Sequence, residues 1–163
     1  MNHGFLQTKR LKLVLYTPEA IRERIAAATD GERAQISPDW LSQVVRLTES
    51  DPWIHGFAVL ERKTSIRVGS CGFKGPPTPE GMVELAYGIE AEHQGKGYAT
   101  EAAAALVEFA FADQRVRIVR AHTLLEGNAS IRVLTKCGFE RIGEVIEPED
   151  GRVLRWERRN DHA

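Results

Sequence analysis

The chain has 163 residues, the usual length of a single domain. Its composition, 42% hydrophobic and 28% charged, excludes the fibrous and disordered classes. The 22 basic residues balance the 23 acidic ones, so the overall charge gives no reason to expect nucleic-acid binding. No apolar stretch approaches the roughly 20 residues of a membrane span, no signal peptide is recognisable, and two cysteines cannot form a disulfide framework. We therefore expect a cytoplasmic protein that binds no membrane.

The order of the predicted elements is typical of a mixed α/β domain. Two helices share a start signal, a hydroxyl cap followed by proline and an acid, at Thr17-Pro18-Glu19 and Ser37-Pro38-Asp39. In chain order we predict strand 11–16, helices 17–28 and 37–49, strands 53–61, 68–73 and 83–89, helix 100–112, strand 116–125, helix 128–137, and strands 140–146 and 152–156. Consecutive strands predict antiparallel neighbours in the middle of the sheet, and the helix after them predicts a crossover connection.

The strand over residues 83–89 has two chemically different faces, because side chains alternate along a strand. One face carries Val83, Leu85, Tyr87 and Ile89, and the other carries Glu84, Ala86 and Gly88. The second face combines one carboxylate with small residues, a pattern that leaves room for a ligand.

The most informative stretch is the turn Gln94-Gly95-Lys96-Gly97-Tyr98-Ala99, between this strand and the next helix. Small residues let the backbone approach a ligand closely, and the N–H groups of a helix start favour phosphate. Three interpretations compete at this level: a ligand-free glycine turn, a dinucleotide site, and a phosphate site of another kind. A dinucleotide fingerprint would require glycine where Thr100 stands, and the Gly-Lys-Ser/Thr ending of a P-loop is absent.

The third interpretation is supported by a resemblance. Gln94-x-x-Gly97-x-Ala99 resembles the Gln/Arg-x-x-Gly-x-Gly/Ala motif of the GNAT family of N-acetyltransferases. Three other stretches match in the same order, Thr8–Leu11, Glu84–Ile89 and Asn128–Phe139, and they are similar to the branch that acetylates ribosomal-protein N-termini. The resemblance covers roughly residues 8–158.

The resemblance implies one N-acetyltransferase domain over residues 1–163, with its core at about 8–158. Its sheet would be mixed, mostly antiparallel and seven-stranded, with helices on both faces and a splay between the fourth and fifth strands. Acetyl-CoA would be the co-substrate, with its pantetheine arm in the splay and its pyrophosphate on the turn. The implied cofactor-binding residues are Tyr87, Gly88, Ile89, Gln94, Gly95, Lys96, Gly97, Tyr98, Ala99, Thr100 and Asn128.

Direct attack of an amine on a thioester requires a base, a donor for the thioester oxygen and a proton for the leaving thiolate. Glu84 is the candidate base, the alternative being an acid that faces water or pairs with an arginine. The backbone N–H of Ile89 is the simplest donor. Many family members have a tyrosine acid where this chain has Leu134, so Ser130 is the candidate substitute, unless it only caps its helix. His122 either lines the acceptor pocket or is structural, and no metal-ligand spacing is present.

The sequence thus predicts an acetyl-CoA-dependent N-acetyltransferase, monomeric or homodimeric, acting on a primary amine of a protein N-terminus or a small molecule. A longer acyl-CoA donor stays open. So does a non-catalytic module of the same fold that binds or senses an acyl-CoA or an amine.

Overall fold

A computed structural model describes residues 5–34, 36–126, 129–148 and 150–160. The strands are β1 Phe5–Gln7, β2 Leu11–Leu15, β3 Phe57–Glu61, β4 Arg67–Phe73, β5 Met82–Ile89, β6 Ile118–Thr123, β7 Glu140–Glu147 and β8 Gly151–Arg159. The helices are α1 Pro18–Ala27, α2 Asp30–Ala34, α3 Pro38–Arg46, α4 Tyr98–Phe111 and α5 Ala129–Lys136, with one 3₁₀ turn at Ala91–His93. No helix in these ranges is long and apolar enough to cross a membrane.

All of these strands join one sheet in the order β1-β2-β3-β4-β5-β6-β8-β7. Neighbouring strands are antiparallel except β5 and β6, which are parallel. The mixed, mostly antiparallel sheet is therefore confirmed, but it has eight strands and not seven. The additional strand is β1, where Phe5 pairs with Val14 and Gln7 with Lys12. Three residues are too few to show a periodic pattern in a sequence.

Several element bounds differ from the prediction, and two of the differences have a clear local cause. The strand expected from Trp53 begins only at Phe57, because residues 51–55 form a turn in which the Asp51 carbonyl accepts from the N–H of His55 at 2.8 Å. A further short helix, α2, begins where the first helix was predicted to stop. Thr29 and Glu32 form a reciprocal capping box there: each backbone N–H donates to the other's side chain, at 2.8 and 3.1 Å.

The predicted helix starts are confirmed. Thr17 accepts from the N–H of Ala20 at 3.1 Å, and Ser37 accepts from the N–H of Trp40 at 3.4 Å. The longest helix, α4, packs against β2, β4 and β5. The helix buries an apolar set made of Ala102, Ala103, Leu106, Val107 and Ala110. Its position under β5 fixes where the glycine turn lies relative to the strand before it.

Strands β5 and β6 pair over only three residues each, Met82–Glu84 with Ile118–Arg120. Beyond Glu84, β5 continues to Ile89 with β4 as its partner, and β6 continues to Thr123 with β8 as its partner. The two strands therefore part after Glu84, which confirms the splay expected between the predicted fourth and fifth strands.

Candidate active site

A cavity of about 500 Å³ lies where β5 and β6 part. Its walls come from the two strands, the loop after β4, the start of α5 and the β7–β8 turn. The residues that line it are Lys74, Glu84, Leu85, Ala86, Tyr87, Ala121, His122, Thr123, Leu124, Ala129, Ser130, Asp150 and Val153. Both candidate catalytic residues, Glu84 and Ser130, are among them.

The backbone of β5 offers hydrogen-bonding groups to this opening. The N–H of Lys74 donates to the carbonyl of Glu84, and the N–H of Glu90 donates to the carbonyl of Val68. Antiparallel ladders bond at every second residue, so the even positions of β5 face β4. The N–H and C=O groups of Tyr87 and Ile89 consequently point away from β4, toward the opening.

The predicted alternation of β5 side chains is also present. The register with β4 runs without a shift from Leu85 to Ile89, so no bulge reverses the faces. Leu85 is 2% exposed in the core, whereas Glu84 faces the cavity. At Gly88, an added Cβ would meet no atom within 4 Å, so this face is open beside the strand.

Glu84 contacts two basic side chains. Its carboxylate oxygen is 2.8 Å from Nδ1 of His122 and 3.0 Å from the ammonium of Lys74, and its side chain is 15% exposed. The carboxylate is paired, but with a lysine and a histidine and not with an arginine. Both partners line the same cavity, so the carboxylate stays at the wall that a ligand would touch.

Further contacts surround His122. Its Nδ1 faces Glu84, and Nε of Arg155 lies 3.1 Å from its Nε2. Glu147 lies 3.2 Å from the same Nε2 and 3.7 Å from the guanidinium. The three residues Glu84, His122 and Glu147 have the spacing of metal ligands. However, both ring nitrogens are already engaged and the carboxylates already have cationic partners, so we interpret the cluster as an ion-pair network.

The side chain of Tyr87, which was predicted only as a cofactor-binding position, also borders the cavity. Its hydroxyl is buried and has no hydrogen-bond partner among the described residues. Burial raises the pKa of Tyr87, while the nearby Ser130 hydroxyl acts in the opposite direction, and the net shift is upward. The Tyr87 hydroxyl therefore stays protonated at neutral pH, at the cavity wall beside Ser130.

Ser130 lies in the first turn of α5, one residue inside the helix start at Ala129. Leu134, where many family members have a tyrosine, is completely buried in the core. Asn128, a predicted cofactor contact, lies outside the described residues.

The glycine turn has the geometry of an anion site. Gly95 and Gly97 have φ of 80° and 83°, the left-handed region that glycine adopts without strain. Gly97 is the N-cap of α4 and provides no side-chain cap, so the first N–H groups of the helix have no capping acceptor. Arg10 donates to the carbonyl of Lys96 at 2.8 Å and also pairs with Glu101, which places two cations beside the turn and neutralises the nearest acid.

The comparisons with known proteins agree with this geometry. A family model described as an acetyltransferase (GNAT) domain matches residues 10–140. The chain belongs to the GNAT family. It is 29% identical over 100 residues to the uncharacterized N-acetyltransferase p20 of Bacillus licheniformis, covering 60% of this chain and 56% of that one. The chain thus spans about half the length of the curated relatives it matches.

Two solved structures show how far the GNAT fold extends. The ribosomal-protein-S5-alanine acetyltransferase from Vibrio fischeri superposes with a TM-score of 0.69 at 17% identity, covering 96% of this chain and 97% of that one. The aminoglycoside acetyltransferase AAC(6')-Ib, in complex with coenzyme A and kanamycin, superposes with a TM-score of 0.68 at 21% identity, covering 92% and 95%. These likenesses establish the fold over nearly the whole chain.

Within this GNAT fold, the predicted donor for the thioester oxygen, the N–H of Ile89, lies far from Glu84 along β5. Ile89 follows Glu84 by five residues on one extended strand, a separation of ~17 Å. The N–H of Tyr87 also points into the opening, and Tyr87 lines the same cavity as Glu84.

Two side chains of the turn already make hydrogen bonds within the protein. The Gln94 amide donates to the carbonyl of Ile89 at 2.8 Å, so this side chain ties the turn to β5. Tyr98 is 6% exposed and its hydroxyl bonds Glu61, which leaves only its N–H for a ligand. Ala99 and Thr100 follow in the first helical turn and are half-buried.

Neither cysteine is a nucleophile. Burial raises the pKa of Cys71 to about 12 and also raises the pKa of Cys137. Thiols of this kind are inert packing groups.

Proposed function

We propose that this GNAT domain is an N-acetyltransferase that moves an acetyl group from acetyl-CoA to a primary amine. The observation that carries the proposal is the Glu84 carboxylate, which faces a cavity where β5 and β6 part. The glycine turn and the start of α4 follow the far end of the same strand. A phosphate-bearing chain that begins at the turn and runs along β5 would end beside this carboxylate.

The residues fit acetyl-CoA as a substrate in three respects. The N–H groups at the start of α4, with Arg10 and Lys96 nearby, suit its pyrophosphate. The outward N–H and C=O groups of Tyr87 and the N–H of Ile89 suit the amides of its pantetheine arm, which would bond to β5 as an added strand does. The small, open face at Gly88 leaves space beside that arm.

The chemistry requires two protons to leave the acceptor's ammonium and one to reach the sulfur. Glu84 accepts the proton of the acceptor's ammonium, directly or through water. The neutral amine attacks the thioester carbon, and the developing oxyanion accepts from the N–H of Tyr87. The C–S bond then breaks, and the thiolate takes a proton from the Tyr87 hydroxyl, from Ser130 or from water. The nitrogen releases its second proton, which replaces the one given to the sulfur.

The acceptor side of the cavity favours a cationic amine. Glu84 and Asp150 line it together, and Glu147 lies directly behind His122. This pattern suits either a peptide N-terminus or a small molecule with several amino groups. The names of structural neighbours include both kinds of acetyltransferase, for ribosomal protein S5 and for aminoglycosides.

A screen of thiol release tests the proposal. The protein would be incubated with acetyl-CoA, or with longer acyl-CoA donors, and a panel of peptides with free N-termini, aminoglycosides and polyamines. We expect thiol release with at least one amine and its loss in Glu84→Gln. The matched control is Glu80→Gln, the same substitution at an exposed residue outside this cavity.

A non-catalytic acyl-CoA or amine sensor is the second candidate, favoured by the buried Leu134 in place of a tyrosine acid. A sensor would bind coenzyme A and rise in melting temperature, but it would release no thiol with any amine. That result would overturn the enzymatic proposal but would still support the proposed coenzyme A site.

A further inference from the structure

Lys74 is held beside the proposed catalytic base by two contacts. Its backbone N–H donates to the carbonyl of Glu84 at 2.9 Å, which fixes the two residues opposite each other where β4 ends. Its ammonium lies 3.0 Å from the Glu84 carboxylate and 3.8 Å from Asp150. The Lys74 ammonium therefore occupies the place beside Glu84 where the ammonium of an external acceptor would bind.

We propose that Lys74 is an internal acceptor, whose side-chain nitrogen is acetylated by acetyl-CoA bound in the same molecule. The proposal rests on the proposed function, because it uses the same base and the same cavity. Lys74, Glu84 and Tyr87 all line that cavity, so the amine is in contact with its base and the oxyanion donor borders the same space. Such positioning converts a bimolecular reaction into an intramolecular one.

The reaction is balanced without a further reagent. Glu84 accepts one proton from the Lys74 ammonium, and the neutral nitrogen attacks the thioester carbon. A C–N bond forms, the C–S bond breaks, and the coenzyme A thiolate leaves and takes up the second proton that the nitrogen loses. The product is acetyl-lysine, which has lost its charge and its ion pairs with Glu84 and Asp150. The side chain of Lys74 is 46% exposed, so the modified group has a path to solvent.

Lys63 provides the matched comparison. It lies in the exposed turn between β3 and β4, outside the residues that line the cavity. Any chemical acetylation of surface amines by acetyl-CoA modifies Lys63 as well as Lys74. Only a reaction in the site depends on Glu84.

The experiment follows acetylation at each lysine by peptide mass spectrometry, with purified full-length protein, acetyl-CoA and no amine. We expect Lys74 to be modified at least about tenfold faster than Lys63, with a fractional rate that does not change with protein concentration. Glu84→Gln, with its folding checked by thermal unfolding, should slow Lys74 by roughly 10²-fold and leave Lys63 unchanged.

Equal rates at the two lysines, a rate at Lys74 that rises with protein concentration, or no effect of Glu84→Gln would each overturn the internal acceptor. Those results leave the proposed function intact if an external amine still gives thiol release. No modification of Lys74 and no thiol release with any amine would overturn both.

Discussion

A charge placed in the glycine turn should weaken coenzyme A binding by a predictable amount. Gly95 suits this test because an added Cβ there would meet no atom within 4 Å. Its φ of 80° is tolerated by asparagine and aspartate better than by other side chains. Gly95→Asp and Gly95→Asn therefore have nearly the same shape and backbone cost, and they differ by one negative charge.

The expected difference follows from Coulomb's law. Two phosphate charges at ~6 Å from the new carboxylate, in water-like surroundings, give a repulsion of about 1.4 kcal/mol, or about tenfold in Kd. Salt screens this term, since the Debye length falls from about 10 Å at 0.1 M to about 3 Å at 1 M. The ratio of the two affinities should therefore approach one at high salt.

Isothermal titration calorimetry with coenzyme A at both salt concentrations measures this ratio. Thermal unfolding of the two variants checks that each remains folded. Equal affinities for the Asp and Asn variants at low salt would refute a phosphate site at the turn. A loss that is the same in both variants would indicate backbone strain and not charge.

Three further predictions concern the base, the donor and the N-terminal contact to α4. Glu84→Gln should lower turnover by roughly 10² at neutral pH, with a loss that shrinks as pH rises and the amine deprotonates itself; a loss independent of pH would contradict the role of base. Tyr87→Phe should slow turnover by about tenfold without changing coenzyme A affinity, as removal of one donor to the transition state predicts. Because the pKa of Tyr87 is raised, wild-type activity should show no loss from its ionisation below about pH 10; an unaffected Phe variant would assign the proton to serine or water. Burial raises the pKa of Glu101, but hydrogen bonds from Thr8 and Arg10 outweigh it and lower the pKa overall. Its contribution to stability should then be present above about pH 4.3 and be lost as pH falls further, so the melting temperatures of wild type and Glu101→Gln should converge in acid.

The paired state of Glu84 has a consequence for the reaction. Lys74 and His122 both contact Oε2 of the carboxylate, so an acceptor's ammonium reaches the base either at Oε1 or by displacing the lysine. Asp150, half-exposed at 3.8 Å, is a second anion to which Lys74 can move. The loop after β4 and the β7–β8 turn thus meet at the entrance to the proposed site.

The sequence by itself determined the features that depend on neighbours along the chain. The caps at Thr17 and Ser37, the glycine turn and the alternating faces of β5 all follow from local rules, and all are present. The short β1 was not predicted because three residues are too few for periodicity. The helix after Thr29 was not predicted because Asp30-Gly31 was interpreted as a stop signal, although the Thr29-x-x-Glu32 spacing is that of a capping box.

Only the tertiary structure decided what surrounds Glu84. Lys74, His122, Asp150 and Arg155 come from four separate elements, and no local pattern relates them. They meet because β5 pairs briefly with β6 and because β8 inserts between β6 and β7, which places Arg155 opposite His122. Strand order of this kind depends on the packing of elements far apart in sequence, and periodicity within one element carries no information about its partners.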